Sequence, residues 1–134
     1  MSSTFLDQGG ASSELSNFTE IELKGVVPEL RVKLQALRYL ANTPIHLTSG
    51  LRPGDDGEHG EGMGVDISDN SAGAPIGSRF RHYVLKAAYS LGFSRIGTYD
   101  RHIHLGISVT RDQDVTWQGN ETQLTCLTVR LTFK

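Results

Sequence analysis

Two segments, far apart in the chain, hold most of its candidate metal-ligating residues, and a metal site built from both requires a fold that brings them together. They are EHGEGMGVDI, residues 58–67, and YDRHIHLG, residues 99–106. Together they hold three of the five histidines and four carboxylates, set among glycines and apolar residues. This mixture is typical of a mononuclear metal site. We therefore expect a fold in which the two segments share one space.

The spacing within these segments predicts a zinc site. Zinc binds imidazole nitrogen and carboxylate oxygen, and a catalytic site uses three protein ligands so that a fourth position stays open. His59, Asp66 and His104 form such a set. In a strand built from HIHLGISV, alternation would place His102 and His104 on the same side. Each segment alone is more typical of structural or exposed residues than of metal ligands, and only the combination favours a site.

The same residues resemble a known family. SGLRPGDDGEHGEGMGVDI is similar to the S-x-x-R and S-x-H-x-x-G-x-A-x-D signature of the LAS group of zinc peptidases. This group contains D-alanyl-D-alanine carboxypeptidases and dipeptidases and phage L-alanyl-D-glutamate endopeptidases, and it is related to the amino-terminal domain of Hedgehog proteins. GFSRIGTYDRHIHLGIS resembles its closing segment, so that the resemblance spans about residues 45–108.

The resemblance implies a role for five residues. It implies His59, Asp66 and His104 as ligands of Zn2+, Asp100 as the general base, and Arg52 as the anchor for a carboxylate or carbonyl of the substrate. The implied activity is hydrolysis of a peptide bond in the stem peptides of bacterial peptidoglycan. In that reaction zinc polarises the scissile carbonyl and lowers the pKa of its bound water.

The chain departs from the family pattern at several positions. Gly57 replaces the serine two positions before the ligand histidine, and Gly64 replaces the usual alanine. Asp100 lies four residues before His104, whereas the acid of the peptidases commonly lies three before the last ligand; the HIH triplet is more similar to Hedgehog. These departures leave a second hypothesis open: a catalytically silent, zinc-bearing binding or virion structural module.

Two further residues of the segments have candidate roles. His102, on the predicted metal face, is expected to donate a hydrogen bond to the tetrahedral oxyanion. Glu61 is an alternative base, although a surface carboxylate in a glycine-rich loop is the simpler interpretation.

Length and composition limit the other possibilities. A chain of 134 residues with a net charge of -2 is expected to form one soluble domain with no nucleic-acid partner. Its single cysteine, Cys126, excludes an intrachain disulfide.

Residues 1–20 are predicted to form a polar arm and residues 21–134 the domain. Neither a signal peptide nor a membrane span is predicted, so we expect synthesis in the cytoplasm and, for a phage protein, delivery to the cell wall by a holin or virion.

Hydrophobic periodicity predicts an α+β fold. Apolar residues recur at intervals of three and four in Val27–Ala41 and in Arg79–Leu91, which indicates two amphipathic helices. Short apolar runs predict strands at 45–49, 65–67, 94–98 and 102–109, the last two forming an antiparallel hairpin. We expect a mainly antiparallel sheet of about four to six strands, with the site in a groove on its surface.

Three segments outside the two helices and the site have weaker signals. QLTCLTVRLTFK alternates cleanly and predicts a terminal strand at about 122–134, a candidate sheet edge or surface for self-assembly or a virion partner. Trp117–Asn120 is predicted to be a turn. Asp69 and Asn70 are more typical of a solvated turn than of a calcium site, which is the alternative.

Overall fold

The computed structural model describes residues 18–119, so most of the N-terminal arm and the predicted terminal strand lie outside the described residues. The helices are α1 (Glu20–Leu23), α2 (Pro28–Ala41), α3 (Glu58–Glu61) and α4 (Ser78–Ser90). The strands are β1 (His46–Ser49), β2 (Gly64–Ser68), β3 (Arg95–Thr98), β4 (Ile103–Gly106) and β5 (Val115–Gln118). No helix within this range is long and apolar enough to cross a membrane.

The two long helices follow the periodicity that predicted them. Pro28 stands in the first turn of α2, where its missing N–H costs no hydrogen bond, and Asn42 ends the helix in the left-handed conformation. One face of each helix is buried, and the buried apolar residues are Leu30, Leu34, Leu37 and Ala41 of α2 and Phe80, Val84, Ala87 and Ala88 of α4.

The five strands form one sheet in the order β1-β2-β4-β3-β5. Every neighbouring pair is antiparallel except β3 and β5, which are parallel. The predicted α+β class, with a mainly antiparallel sheet and two principal helices, is confirmed.

Alternation along the central strands separates the core from the site. Val65 and Ile67 of β2 and Ile103 and Leu105 of β4 are fully buried and join the helix residues in one hydrophobic cluster. Because successive side chains point to opposite faces of a sheet, Asp66 and His104 are directed away from that cluster. The hydrophobic core therefore supports the strands that present the polar side chains.

The turn predicted at Trp117 is wrong, because this residue lies in β5, which pairs with β3. The Trp117 ring packs over Gly97, where an added Cβ atom would lie 2.6 Å from the indole. Pairing and ring packing between distant segments thus outweigh the local turn signal of the following Gly119.

Candidate metal centre

Strand register brings two of the predicted ligands side by side. Asp66 of β2 lies directly opposite His104 of β4 in the antiparallel ladder. Directly opposed residues in such a ladder have Cβ atoms about 4.5–5.5 Å apart, so the two side chains meet on the same face.

The third predicted ligand arrives on the short helix α3. Gly62 ends this helix with φ +72°, and the Gly62 carbonyl accepts a hydrogen bond from Val27 N–H at the start of α2. An added Cβ at Gly62 would lie 2.2 Å from the Gly25 carbonyl oxygen, so this close turn requires glycine. The turn fixes α3 beside β2 and leaves His59 with only 5% of its surface exposed.

The ligand atoms of the three residues form a nearly equilateral triangle. His59 Nε2 lies 3.1 Å from Asp66 Oδ1, His104 Nδ1 lies 3.1 Å from the same oxygen, and the two imidazole nitrogens are 3.2 Å apart. All three residues are buried. Among the described residues, this is the one group of three histidine, cysteine or acidic side chains close enough to hold a metal ion.

The far side of the His59 ring determines its tautomer. His59 Nδ1 lies 2.9 Å from the Gly50 carbonyl oxygen, which only accepts hydrogen bonds. Nδ1 must therefore carry the proton, and Nε2 presents a lone pair to the triangle.

The His104 ring is held in the opposite sense by a buried carboxylate. Glu58 Oε1 lies 2.8 Å from His104 Nε2, closer than Asp66 Oδ1 lies to Nδ1 at 3.1 Å, so the neutral ring carries its proton on Nε2 and the lone pair of Nδ1 faces the triangle. Glu58 Oε2 accepts a hydrogen bond from Ser108 N–H at 3.0 Å. Arg95 Nε lies 2.9 Å from the same oxygen and forms an ion pair with it.

Three electron pairs therefore converge on one point unless a cation lies between them. In the metal-free protein, a proton on one of these atoms can take the place of that cation. Burial lowers the pKa of His104, but hydrogen bonds to Asp66 and Glu58 outweigh this effect, and the pKa is raised above its ordinary value. Burial alone would raise the pKa of Asp66, but its close contacts with the His104 and His59 imidazoles outweigh this effect and hold the pKa well below its usual range.

The residues present also fit a metal ion. A tetrahedral site with zinc–ligand distances of 2.0–2.1 Å has ligand atoms about 3.3 Å apart, close to the triangle seen here. Metal-bound histidine almost always donates its other N–H to a backbone carbonyl or a carboxylate, and His59 and His104 use one of each. The triad is therefore a candidate metal site arranged in advance of metal binding.

The triad opens into a surface groove of about 410 Å³. Its lining includes the triad together with the rings of Tyr99, His102 and Trp117. Tyr99 and His102 stack with ring centroids 4.2 Å apart, and Trp117 Nε1 donates a hydrogen bond to the Tyr99 hydroxyl at 3.1 Å. These contacts give the groove an aromatic wall beside the metal triad.

The structure brings two further predicted residues to this groove. His102 lines it, with Nε2 3.8 Å from Asp66 Oδ2, and burial lowers the pKa of His102 although the charge of Asp66 opposes the change. Arg52 stands at the rim, where Nη2 lies 3.9 Å from Asp66 Oδ2 and Nε 3.7 Å from Asp55 Oδ2. The backbone N–H of Arg52 also donates to the His59 carbonyl at 2.9 Å, which ties the arginine loop to α3.

The two predicted carboxylate bases, Asp100 and Glu61, are not among the residues that line the groove. Asp100 is exposed in the turn between β3 and β4 and is not part of the groove lining. Glu61 is exposed and pairs with Arg111 Nη2 at 3.2 Å.

Asp69 and Asn70 hold their own loop together. Asp69 Oδ2 accepts from Gly77 N–H at 2.9 Å, and Asp69 Oδ1 accepts from the Asn70 side chain at 2.8 Å. Hydrogen bonds from a neighbouring backbone N–H and from an adjacent side chain are those of a structured turn, the interpretation that the sequence favoured.

Sequence reasoning did not identify Glu58, Tyr99 or Trp117 as site residues. Glu58 directly precedes a predicted ligand, and Tyr99 lies within the second segment, so position alone was a usable signal. Trp117 had none, because its contact with the site depends on the parallel pairing of β5 with β3.

Comparisons of the chain with models of known families, with curated proteins and with solved structures found no match.

Proposed function

We propose that this protein is a zinc-dependent hydrolase that cleaves a peptide bond in the stem peptides of bacterial peptidoglycan. The convergence of three lone pairs from His59, Asp66 and His104 carries the metal-dependent part of the proposal. The choice of substrate rests on the resemblance of residues 45–108 to the LAS zinc peptidases, together with an arginine at the rim of the groove.

Zinc is the metal that this ligand set favours. Two imidazoles and one carboxylate are a common catalytic combination, and three protein ligands leave a position for substrate or water. When bound, zinc would supply a Lewis acid that polarises a carbonyl oxygen and activates water.

His102 is the residue we assign first to proton transfer or oxyanion binding. It lines the groove and lies 3.8 Å from Asp66 without belonging to the ligand triangle. Stacking against Tyr99 fixes the plane of its ring. Asp100, the base implied by the resemblance, stays the alternative that mutagenesis must distinguish.

Arg52 is the residue we assign to the substrate carboxylate. Its side chain is half exposed, and both of its acidic neighbours lie beyond ordinary hydrogen-bond distance. A planar guanidinium in this state is available to bind a carboxylate through two parallel hydrogen bonds.

The test is incubation of the purified, zinc-loaded protein with peptidoglycan sacculi and synthetic stem peptides, with the fragments identified by mass spectrometry. We expect cleavage at one peptide bond, loss of cleavage in His59→Ala, and full cleavage in the control His82→Ala, which removes an exposed histidine of α4. Comparing His102→Gln, Asp100→Asn and Glu61→Gln then identifies the base, since a general base contributes about a hundredfold to ten-thousandfold in rate.

A zinc-bearing binding or virion module is the second candidate, and one observation favours it. Of the described residues that line the groove, the only carboxylates are Asp66, in the triad, and Glu58, which is engaged by His104, Ser108 and Arg95. No free carboxylate base therefore faces the groove within residues 18–119. Full zinc occupancy without cleavage of any stem peptide would favour this module over the enzyme.

A further inference from the structure

We propose that Glu58 is a positioning residue that fixes the Nε2–H tautomer of His104 and thereby sets the metal affinity of the triad. The inference rests on the proposed metal-dependent function and assigns a role to a residue outside the ligand set. Its basis is the geometry around one buried carboxylate.

Both oxygens of this carboxylate are held in place. Oε1 accepts from His104 Nε2 at 2.8 Å, and Oε2 accepts from Ser108 N–H at 3.0 Å. Arg95 balances the charge from 2.9 Å, and the Glu58 side chain is only 2% exposed. A carboxylate fixed by three neighbours has no freedom to turn away from the imidazole.

Strand β4 leaves a space of the right size for this carboxylate. Gly106 follows His104 by two residues and therefore lies on the same face of the sheet. An added Cβ at Gly106 would lie 2.1 Å from Glu58 Oε1 and 2.2 Å from Oε2. Glycine at this position is thus what allows Glu58 to reach the back of His104.

The contact favours metal binding because it places the proton of the neutral ring on Nε2, so that Nδ1 is free to bind a cation. Removal of such an outer partner typically weakens metal binding about 10- to 100-fold.

A purely structural role for Glu58 makes different predictions. Glu58 also joins α3 to the segment after β4 through Ser108, so its removal is expected to lower stability in either case. Only the positioning role predicts a change in the tautomer of His104 and in metal affinity among variants that remain folded.

The experiment compares Glu58→Gln and Glu58→Ala with Glu61→Gln and Glu61→Ala. Glu61 is the matched control, because it belongs to the same short helix but is exposed and pairs with Arg111. Zinc affinity is measured by competition with a chromophoric chelator, and circular dichroism confirms folding. We expect about 10- to 100-fold weaker binding in Glu58→Ala, a smaller loss in the similarly sized Glu58→Gln, and wild-type affinity in both Glu61 variants.

A second measurement uses the metal-free protein. Long-range ¹H–¹⁵N NMR spectra of the histidine rings, recorded where His104 is neutral, should show the Nε2–H tautomer in the wild type and a shift towards the Nδ1–H tautomer in Glu58→Ala, because Asp66 Oδ1, 3.1 Å from Nδ1, is then the remaining carboxylate acceptor. An unchanged tautomer in the folded Glu58 variants would overturn the inference, as would wild-type zinc affinity in both of them. A wild-type protein that binds no zinc would instead defeat the proposed function, and the tautomer measurement would still decide the role of Glu58.

Discussion

At the scale of single residues, the triad is defined by which atom of each side chain faces the other two ligands. His102 and His104 stand two positions apart and both face the groove, yet only His104 has a nitrogen within 3.2 Å of both other ligand atoms. His102 approaches the triad only through Asp66 Oδ2, at 3.8 Å. The two histidines therefore form a natural pair of variants for identifying the third ligand.

We expect His104→Ala to lose zinc and His102→Ala to retain it. Protein purified without chelator should carry about one equivalent of zinc, and elemental analysis of the two variants measures the difference. Both variants should keep the wild-type circular dichroism spectrum. Stoichiometric zinc in His104→Ala would move the third ligand to another residue.

A second prediction at this scale concerns Arg52. Arg52→Lys should keep the fold and the zinc but weaken turnover, because an ammonium group cannot reproduce the planar fork of a guanidinium. The measurement is steady-state cleavage of a stem peptide, with Arg79→Lys on the exposed start of α4 as the matched control. Equal kinetics in both variants would return Arg52 to the role of an ordinary loop arginine.

At the scale of elements, the register of four strands aligns the site. Asp66, His104, Gly97 and Trp117 are successive partners across β2, β4, β3 and β5. The Trp117 ring lies over the glycine and reaches the His104 ring, with centroids 5.6 Å apart. The small residue in this row allows the aromatic ring to pack beside the ligand.

The elements also show how far sequence reasoning reaches. Periodicity predicted α2 and α4 to within one residue at each end, because the pattern repeats over three or more turns. It missed α1, α3 and β5, which have four residues each; α3 and β5 in addition depend on distant partners. Residue type and spacing identified the three members of the triad, whereas Glu58 depends on the space that Gly106 leaves, a contact that no local pattern records.

Gly106→Ala tests this packing at the scale of the strand. The added methyl group would overlap the Glu58 carboxylate, so we expect weaker zinc binding and a loss of stability of about 1–3 kcal/mol from overpacking. In a Glu58→Ala background, Gly106→Ala should cost much less stability, because the carboxylate that the added methyl group would overlap is absent. Chelator competition and urea unfolding of the four proteins give the coupling energy. Additive effects would show that Gly106 does not act through Glu58.

At the scale of the whole molecule, the metal would join segments that only folding brings together. Its ligands come from α3, β2 and β4, and the sheet order places β2 and β4 at its centre. A ligand that binds only the folded state adds about 2.7 kcal/mol of stability at a free concentration of 100 Kd. For a chain of this size that corresponds to a rise in Tm on the order of 10 °C.

The last prediction joins this stabilisation to pH. The pKa of His104 is raised above its ordinary value of 6.5, so in the metal-free protein its stabilising effect is full below pH 6.5 and is lost as pH rises through the folded pKa. The pKa of Asp66 is lowered, so its contribution to stability is present above its ordinary value of 3.8 and is lost only at lower pH, below the range in which His104 titrates. Zinc competes with the proton on His104, so metal binding strengthens over the same pH interval in which the metal-free protein loses the stability that protonated His104 contributes.

The difference in Tm between zinc-loaded and chelator-treated protein should therefore widen from about pH 6 to about pH 8. Thermal unfolding followed by circular dichroism measures it, with His104→Ala as the control that should show no zinc-dependent shift at either pH. A wild-type difference that stays constant across the interval would exclude proton competition at His104.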